Sequence, residues 1–124
     1  MGLDMYLYRA GNDGDLSEII YWRKANHIHG FFERLKDSEY KLESLERIEV
    51  SKQDLVNLLE SCYEVLYDET CKEVVLPRVP GFFFGTYTYE EDYYQDIIDT
   101  ILKVEDILLN DYKKNTKYFY DSWY

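Results

Sequence analysis

The chain is short of positive charge. It holds 14 lysines and arginines against 25 acids, which gives a formal net charge of −11 over 124 residues. A protein that binds nucleic acid or an anionic membrane needs Lys and Arg to displace counterions, so this balance argues against both partners. It favours solubility, or binding to a basic partner protein.

Cysteine and long apolar runs are also scarce. Cys62 and Cys71 are too few for a disulfide scaffold, and their spacing of nine fits no zinc pattern. A disulfide between them is possible but unneeded at this size, and free thiols are typical of a reducing cytoplasm. No apolar run approaches the roughly 20 residues that span a bilayer, and the N-terminus shows no signal pattern. We therefore predict a single domain, 1–124, in the cytoplasm.

Alternating patterns predict strands near both ends of the chain. Leu3, Met5 and Leu7 alternate with more polar residues, and residues 117–123 alternate in the same way. We expect these two strands to pair. A charged loop at 36–45 precedes a further short strand at 47–50.

Helical spacing predicts three helices. The first starts at about Leu16 and places its apolar residues at Ile20, Ala25, Ile28, Phe32 and Leu35. A capping box of Ser51 and Asp54 begins the second, and a similar pair, Thr88 and Glu91, begins the third at roughly 89–110. Residues 68–80 form an irregular connection, and the three rings of 82–84 enter the core between flexible glycines. The predicted fold is α+β, with three helices packed on a small antiparallel sheet that contains the N- and C-terminal strands.

Residues 21–29 form a cationic and aromatic island without any acid. On the predicted first helix, Trp22, Asn26 and His29 share one face, with Arg23 beside it. Such a face can stack a planar group and bind its phosphate or carboxylate. The candidate ligand-binding residues are Trp22, Arg23, Lys24, Asn26, His29, Ser122 and Trp123. Alternatively, Trp22 and His29 border the core while the cations pair with surface acids.

The last predicted helix is strongly acidic. Residues 86–112 hold eight acids and one lysine, Lys103. Such a row can imitate the spaced charges of a nucleic-acid backbone and occupy a protein's DNA or RNA groove, although it is ordinarily a solvated helix face. Tyrosine, with 14 copies in the chain, is favoured at surfaces that bind other molecules. The candidate partner-binding residues are Glu90, Glu91, Asp92, Asp96, Asp99, Tyr89 and Tyr93.

Recognisable catalytic and metal-binding patterns are missing. His27 and His29 lie two residues apart, whereas zinc sites on helices use an i, i+4 spacing. Ser122 has no nucleophile elbow around it, and the glycines at 81 and 85 form no nucleotide-binding loop. We predict no catalytic residue, no metal and no cofactor.

Segments spread over nearly the whole chain resemble a family of small phage and prophage proteins. They are GLDMYL at 2–7, YWRKAN at 21–26 followed by Ile28 and His29, LP at 76–77 with GFFFG at 81–85, and YDSW at 120–123. The resemblance implies a bacteriophage accessory protein working in the bacterial cytoplasm, and it carries over no activity. With the charge, it suggests an inhibitor of a host defence protein that acts through its acidic face. The alternative is a small-ligand binding protein or enzyme that uses the Trp22 face on a nucleotide-like anion.

Overall fold

The computed structural model describes residues 2–81 and 84–124, and within them it shows an α+β fold with four strands and four helices. The strands are β1 (Asp4–Ala10), β2 (Leu16–Arg23), β3 (Ile48–Val50) and β4 (Tyr118–Trp123). The helices are α1 (Asn26–Arg34), α2 (Lys52–Tyr67), α3 (Lys72–Val75) and α4 (Glu91–Asp106), and a π-helical turn at Ile107–Asp111 extends α4. The α+β class is confirmed, but the prediction of three helices was wrong.

The sheet is antiparallel, with strand order β2-β1-β4-β3. β1 lies between β2 and β4, so the expected pairing of the N- and C-terminal strands is confirmed. Met5 and Leu7 of β1, and Leu3 just before it, are fully buried on the core side, while Tyr6 and Tyr8 are half-buried on the other face. Residues of one strand point alternately to the two faces of a sheet, so this pattern fixes the side on which the core lies.

The predicted first helix was wrong in its first half. Residues 16–23 form β2, and the helix begins only at Asn26. The turn residues at 11–14 close a β1–β2 hairpin, and Ile20 and Trp22 alternate with exposed neighbours against β1. The apolar spacing across 20–35 therefore combines a strand with a helix. Between them Lys24 takes a φ of 56°, and its N–H donates to the Leu3 carbonyl at 2.7 Å.

α2 begins where the sequence predicts. The Ser51 hydroxyl accepts a hydrogen bond from the Asp54 N–H, and the Asp54 carboxylate accepts one from the Ser51 N–H, which completes the capping box. Its apolar face buries Leu55, Leu58, Cys62 and Val65. Burial raises the pKa of the Cys62 thiol to about 12, so this cysteine serves the core as a small apolar group. Cys62 and Cys71 are both free thiols.

The connection between α2 and α4 is more ordered than predicted. The Asp68 carboxylate accepts a hydrogen bond from the Thr70 N–H, which starts a 3-10 turn at Glu69–Cys71 that continues into α3. The second predicted capping box was wrong, because α4 begins after Glu90 with no side-chain cap. Phe84 is buried as expected, whereas Phe82 and Phe83 lie outside the described residues.

Candidate functional site

The cationic and aromatic island splits into a buried part and an exposed part. The buried part consists of Trp22, Asn26 and His29, and Ser122 is buried as well. Trp22 lies on β2, whereas Asn26 and His29 lie on α1. The expected single helical face was therefore wrong, because the chain changes from strand to helix at 24–25. The Trp22 indole N–H donates to the Thr100 hydroxyl at 2.9 Å.

Asn26 uses all of its hydrogen-bonding groups on the connection before α4. Its amide nitrogen donates to the carbonyls of Phe84, at 3.0 Å, and Thr86, at 2.9 Å. Its amide oxygen accepts the Val79 N–H at 2.9 Å. A side chain with its donors and its acceptor engaged in this way joins α1 to both ends of the 79–86 segment.

His29 lies in a buried polar chain. The Tyr120 hydroxyl lies 2.5 Å from His29 Nδ1, and His29 Nε2 lies 3.4 Å from the Glu33 carboxylate. Burial raises the pKa of Tyr120 well above its ordinary value, so this hydroxyl stays protonated and donates to the imidazole. Glu33 in turn accepts the Leu42 N–H at 2.7 Å. The chain joins β4, α1 and the 36–45 loop, and these contacts favour the interpretation in which His29 is a core residue.

The remaining residues of the predicted ligand set lie at the surface. Arg23 pairs with Asp4 at 3.1 Å, and Lys24 is exposed. Trp123 is 62% exposed and contributes to a cleft of about 380 Å³ beside Asp4 and Tyr6. The structure thus does not bring Trp123 together with the buried Trp22 and Asn26 as one open pocket.

Arg78 organises the start of α4, and sequence analysis missed it. It is buried, and its guanidinium donates to the Thr88 carbonyl at 2.8 Å and to His27 Nδ1 at 3.1 Å. It also pairs with Asp92 at 3.2 Å and lies over the Tyr93 ring. The sequence signal was its position between two X-Pro pairs, which hold the chain extended around it.

The predicted partner-binding residues lie on the first turns of α4, but their surroundings differ. Glu90, Glu91 and Asp92 are exposed, whereas Asp96 and Asp99 are half-buried. The two tyrosines of the set are not exposed either. Tyr93 is fully buried and donates its hydroxyl hydrogen to the Leu76 carbonyl at 2.7 Å. Tyr89 is half-buried, and its hydroxyl oxygen accepts the Arg78 backbone N–H at 2.9 Å.

The acidic charge is concentrated in two helical segments that pack together. Residues 52–75, with α2 and α3, hold six acids and two lysines, and residues 86–112, with α4, hold eight acids and one lysine. We call these two segments the acidic helical layer. Its charge of −11 equals that of the whole protein, so the remainder of the chain is neutral.

The outer side of α4 also exposes apolar side chains. Ile98 is 41% exposed and Leu102, one turn later, is 62% exposed, while Leu109 in the π-helical turn is 81% exposed. An adjoining side of the helix buries Ile97, Ile101 and Val104. A purely solvated helix face would be polar throughout, so this one has an unusual apolar component.

Asp96 is expected to destabilise the folded state at neutral pH. Burial raises its pKa to about 6, with the nearby carboxylates of Asp92 and Asp99 adding to the shift. Because the folded-state pKa lies above the unfolded value, ionisation at pH 7 costs folding free energy. We expect Asp96→Asn to stabilise the protein by about 1–2 kcal/mol at pH 7, after allowance for solvent screening, and the gain to shrink as pH falls through 6 towards 4.

Urea unfolding of the variant at pH 7 and pH 4 would measure this difference. Asp106→Asn, at an exposed position of the same helix, is the matched control and should change the free energy of unfolding by less than about 0.5 kcal/mol. An equal gain in both variants would mean that general charge relief, rather than the burial of Asp96, is responsible.

Among residues 2–81 and 84–124, no group of three or more His, Cys, Asp or Glu side chains could hold a metal ion. The helices of that same part of the chain include none that is long and apolar enough to cross a bilayer. Comparison with protein-family models, with curated proteins and with solved structures gives no match to this chain.

Proposed function

We propose that this protein is a bacteriophage accessory protein that inhibits a host defence protein by binding it through the acidic helical layer. The phage setting rests on the resemblance of the four sequence segments. The binding mode rests on the distribution of charge, since the layer carries the net charge of −11 and the rest of the molecule is neutral. Such a surface attracts a basic groove, and a groove that binds nucleic acid is basic because it must neutralise phosphates.

The exposed pair Ile98 and Leu102 is the observation that carries the proposal. Protein interfaces combine an apolar centre with a polar rim, and here Asp99 and Asp106 lie beside the pair on α4. Acids provide long-range attraction and register, whereas desolvated apolar side chains provide most of the affinity. The layer therefore has both components that a protein partner requires.

The test compares variants of equal charge. The helix variant carries Glu91→Gln, Asp99→Asn and Asp106→Asn, and the control variant carries Glu18→Gln, Glu39→Gln and Glu49→Gln at exposed positions elsewhere. Both change the net charge from −11 to −8. We expect affinity capture from a host lysate, read by mass spectrometry, to recover the same partner with the wild type and the control variant. The helix variant should bind that partner at least about tenfold more weakly.

Two further measurements separate the parts of the proposal. Ile98→Ser with Leu102→Ser leaves the charge at −11, and a partner bound through an apolar centre should be lost in this variant as well. Increasing amounts of the wild-type protein should displace DNA or RNA from the captured partner. Equal capture by the helix and control variants would contradict the proposed surface, and a partner whose nucleic-acid binding is unaffected would contradict the mimicry.

A further inference from the structure

A cleft of about 650 Å³ lies at the end of the sheet, between the β1–β2 turn and the loop that leads into β4. Its two walls are joined by the backbone, because the Ala10 N–H donates to the Lys117 carbonyl at 2.9 Å. The Gly11 N–H donates to the Asp15 carbonyl at 2.7 Å and closes the turn on one side. Backbone hydrogen bonds therefore fix the two walls relative to each other and the shape of the turn that forms one of them.

Four cations line this cleft in a protein that is otherwise acidic. They are Arg9, Lys113, Lys114 and Lys117. Within the part of the chain that the structure describes, none of the three lysines lies within 4.0 Å of a carboxylate. Lysines without a counter-charge, gathered around one concavity, produce a local positive potential that the distant acids weaken but do not cancel.

Of the described residues, Asp111 alone brings a carboxylate to the cleft lining, and this carboxylate is already engaged. Asp111 pairs through Oδ1 with Arg9, and its Oδ2 accepts a hydrogen bond from the Tyr118 hydroxyl at 2.9 Å. Asp13, in the neighbouring turn, accepts the Asp15 N–H at 3.0 Å and does not line the cleft. The lysines consequently face a space whose nearest acid is bound to other groups.

Neutral hydrogen-bond donors complete the lining. The Thr116 hydroxyl accepts the Lys113 N–H at 3.0 Å, so its own hydrogen is free to donate. Asn12 and Asn115 bring side-chain amides, and Asn115 takes a φ of 75° in a turn closed by the Thr116 N–H and the Lys113 carbonyl. Lysine ammonium groups, amides and a hydroxyl are the donors that bind phosphate oxygens.

We propose that this cleft binds a compact polyphosphate, either an inorganic di- or triphosphate or the phosphate chain of a nucleotide. Among residues 2–81 and 84–124, no aromatic side chain lines the cleft, so these residues offer charge and hydrogen bonds but no ring on which a base would stack. Recognition therefore depends on the phosphates. Among the described lining residues, only Asp111 also belongs to the acidic helical layer, and the cleft would bind an anion whereas the layer would bind a basic partner.

The test uses calorimetric titration with sodium tripolyphosphate at low salt. The cleft variant carries Lys113→Gln, Lys114→Gln and Lys117→Gln, and the control variant carries Lys36→Gln, Lys41→Gln and Lys72→Gln. Both change the net charge from −11 to −14, so general repulsion of the anion is the same in each. We expect the cleft variant to bind about 10- to 100-fold more weakly than the control variant, and wild-type affinity to fall as salt rises.

Parallel titrations identify the ligand. Tripolyphosphate and ATP of similar affinity, with AMP much weaker, would support recognition of the phosphate chain, and a preference between the first two would identify its source. In amide NMR spectra of the wild type, the backbone N–H groups of Gly11, Asn12 and Thr116 should show the largest chemical-shift changes when tripolyphosphate is added. The proposal is overturned by an absence of binding at millimolar tripolyphosphate, by equal loss in both variants, by tighter binding of a single-stranded oligonucleotide, or by the largest shifts falling elsewhere.

Discussion

Replacing Asn26 by leucine is expected to destabilise the protein by about 3–5 kcal/mol. Leucine matches the size of the amide but makes none of its hydrogen bonds, so the Phe84 and Thr86 carbonyls and the Val79 N–H all lose their partner. Each buried polar group left unsatisfied costs about 1–3 kcal/mol. The loss should appear in urea unfolding followed by circular dichroism at pH 7.

The matched control is Asn57→Leu. Asn57 is exposed on α2 and only accepts a hydrogen bond from the Gln53 side chain at 2.9 Å, so its replacement should change the free energy of unfolding by less than about 0.5 kcal/mol. A loss below 1 kcal/mol for Asn26→Leu would mean that water or a shifted backbone satisfies the 79–86 segment without this amide.

Three segments that are far apart in the sequence meet inside the core. Asn26 of the 21–29 segment bonds to the 79–86 segment, and His29 bonds to Tyr120 of the C-terminal segment. Phe84 also packs edge-on against His29, with ring centroids 5.3 Å apart. These three segments therefore hold the fold together. The acidic helical layer and the cationic cleft lie largely outside these segments.

Local patterns were sufficient where the structure itself is local. The Ser51–Asp54 capping box and the alternation of Leu3, Met5 and Leu7 each need only a few neighbouring residues, and both were predicted correctly. The prediction of the first helix was wrong in its first half, because the apolar spacing fits one long helix about as well as it fits a strand followed by a helix. The β1–β2 hairpin decided between them, through pairing that the helical pattern alone does not report.

The predicted ligand-binding face was wrong for a related reason. His29 and Tyr120 are separated by 91 positions in the chain, and Arg78 and His27 by 51. A polar residue that is buried against a distant partner has the same composition signal as one that lines a pocket. Charge, by contrast, is additive along the chain, so the acidic segment at 86–112 was found from the sequence. Only the fold showed that α2 and α3 add further acids to the same layer.

Acidification should weaken the fold through His27, an effect that Asp96 hides in the wild type. Burial, together with the neighbouring Arg78, lowers the pKa of His27 to about 3. Between pH 6.5 and 3 the unfolded state therefore holds a proton on this histidine that the folded state excludes, and stability falls by about 1.4 kcal/mol for each unit of pH decrease. Asp96 has the opposite sign, because its raised pKa of about 6 makes the folded state take up a proton between pH 6 and 3.8.

The two contributions largely cancel in the wild type, so the His27 effect should emerge when Asp96 is replaced. In Asp96→Asn, we expect the free energy of unfolding to fall by about 1–1.4 kcal/mol per unit between pH 6 and 4, as measured by urea unfolding. Adding His27→Phe keeps a ring that can stack on Tyr93, whose centroid lies 4.2 Å from that of His27, and removes the titrating group. In the double variant, the free energy of unfolding should no longer show this dependence on pH, whatever the absolute stability, since Phe binds no proton in either state. If both variants have the same slope, then protonation of His27 does not oppose folding, and the Arg78–His27 contact tolerates a charged imidazole.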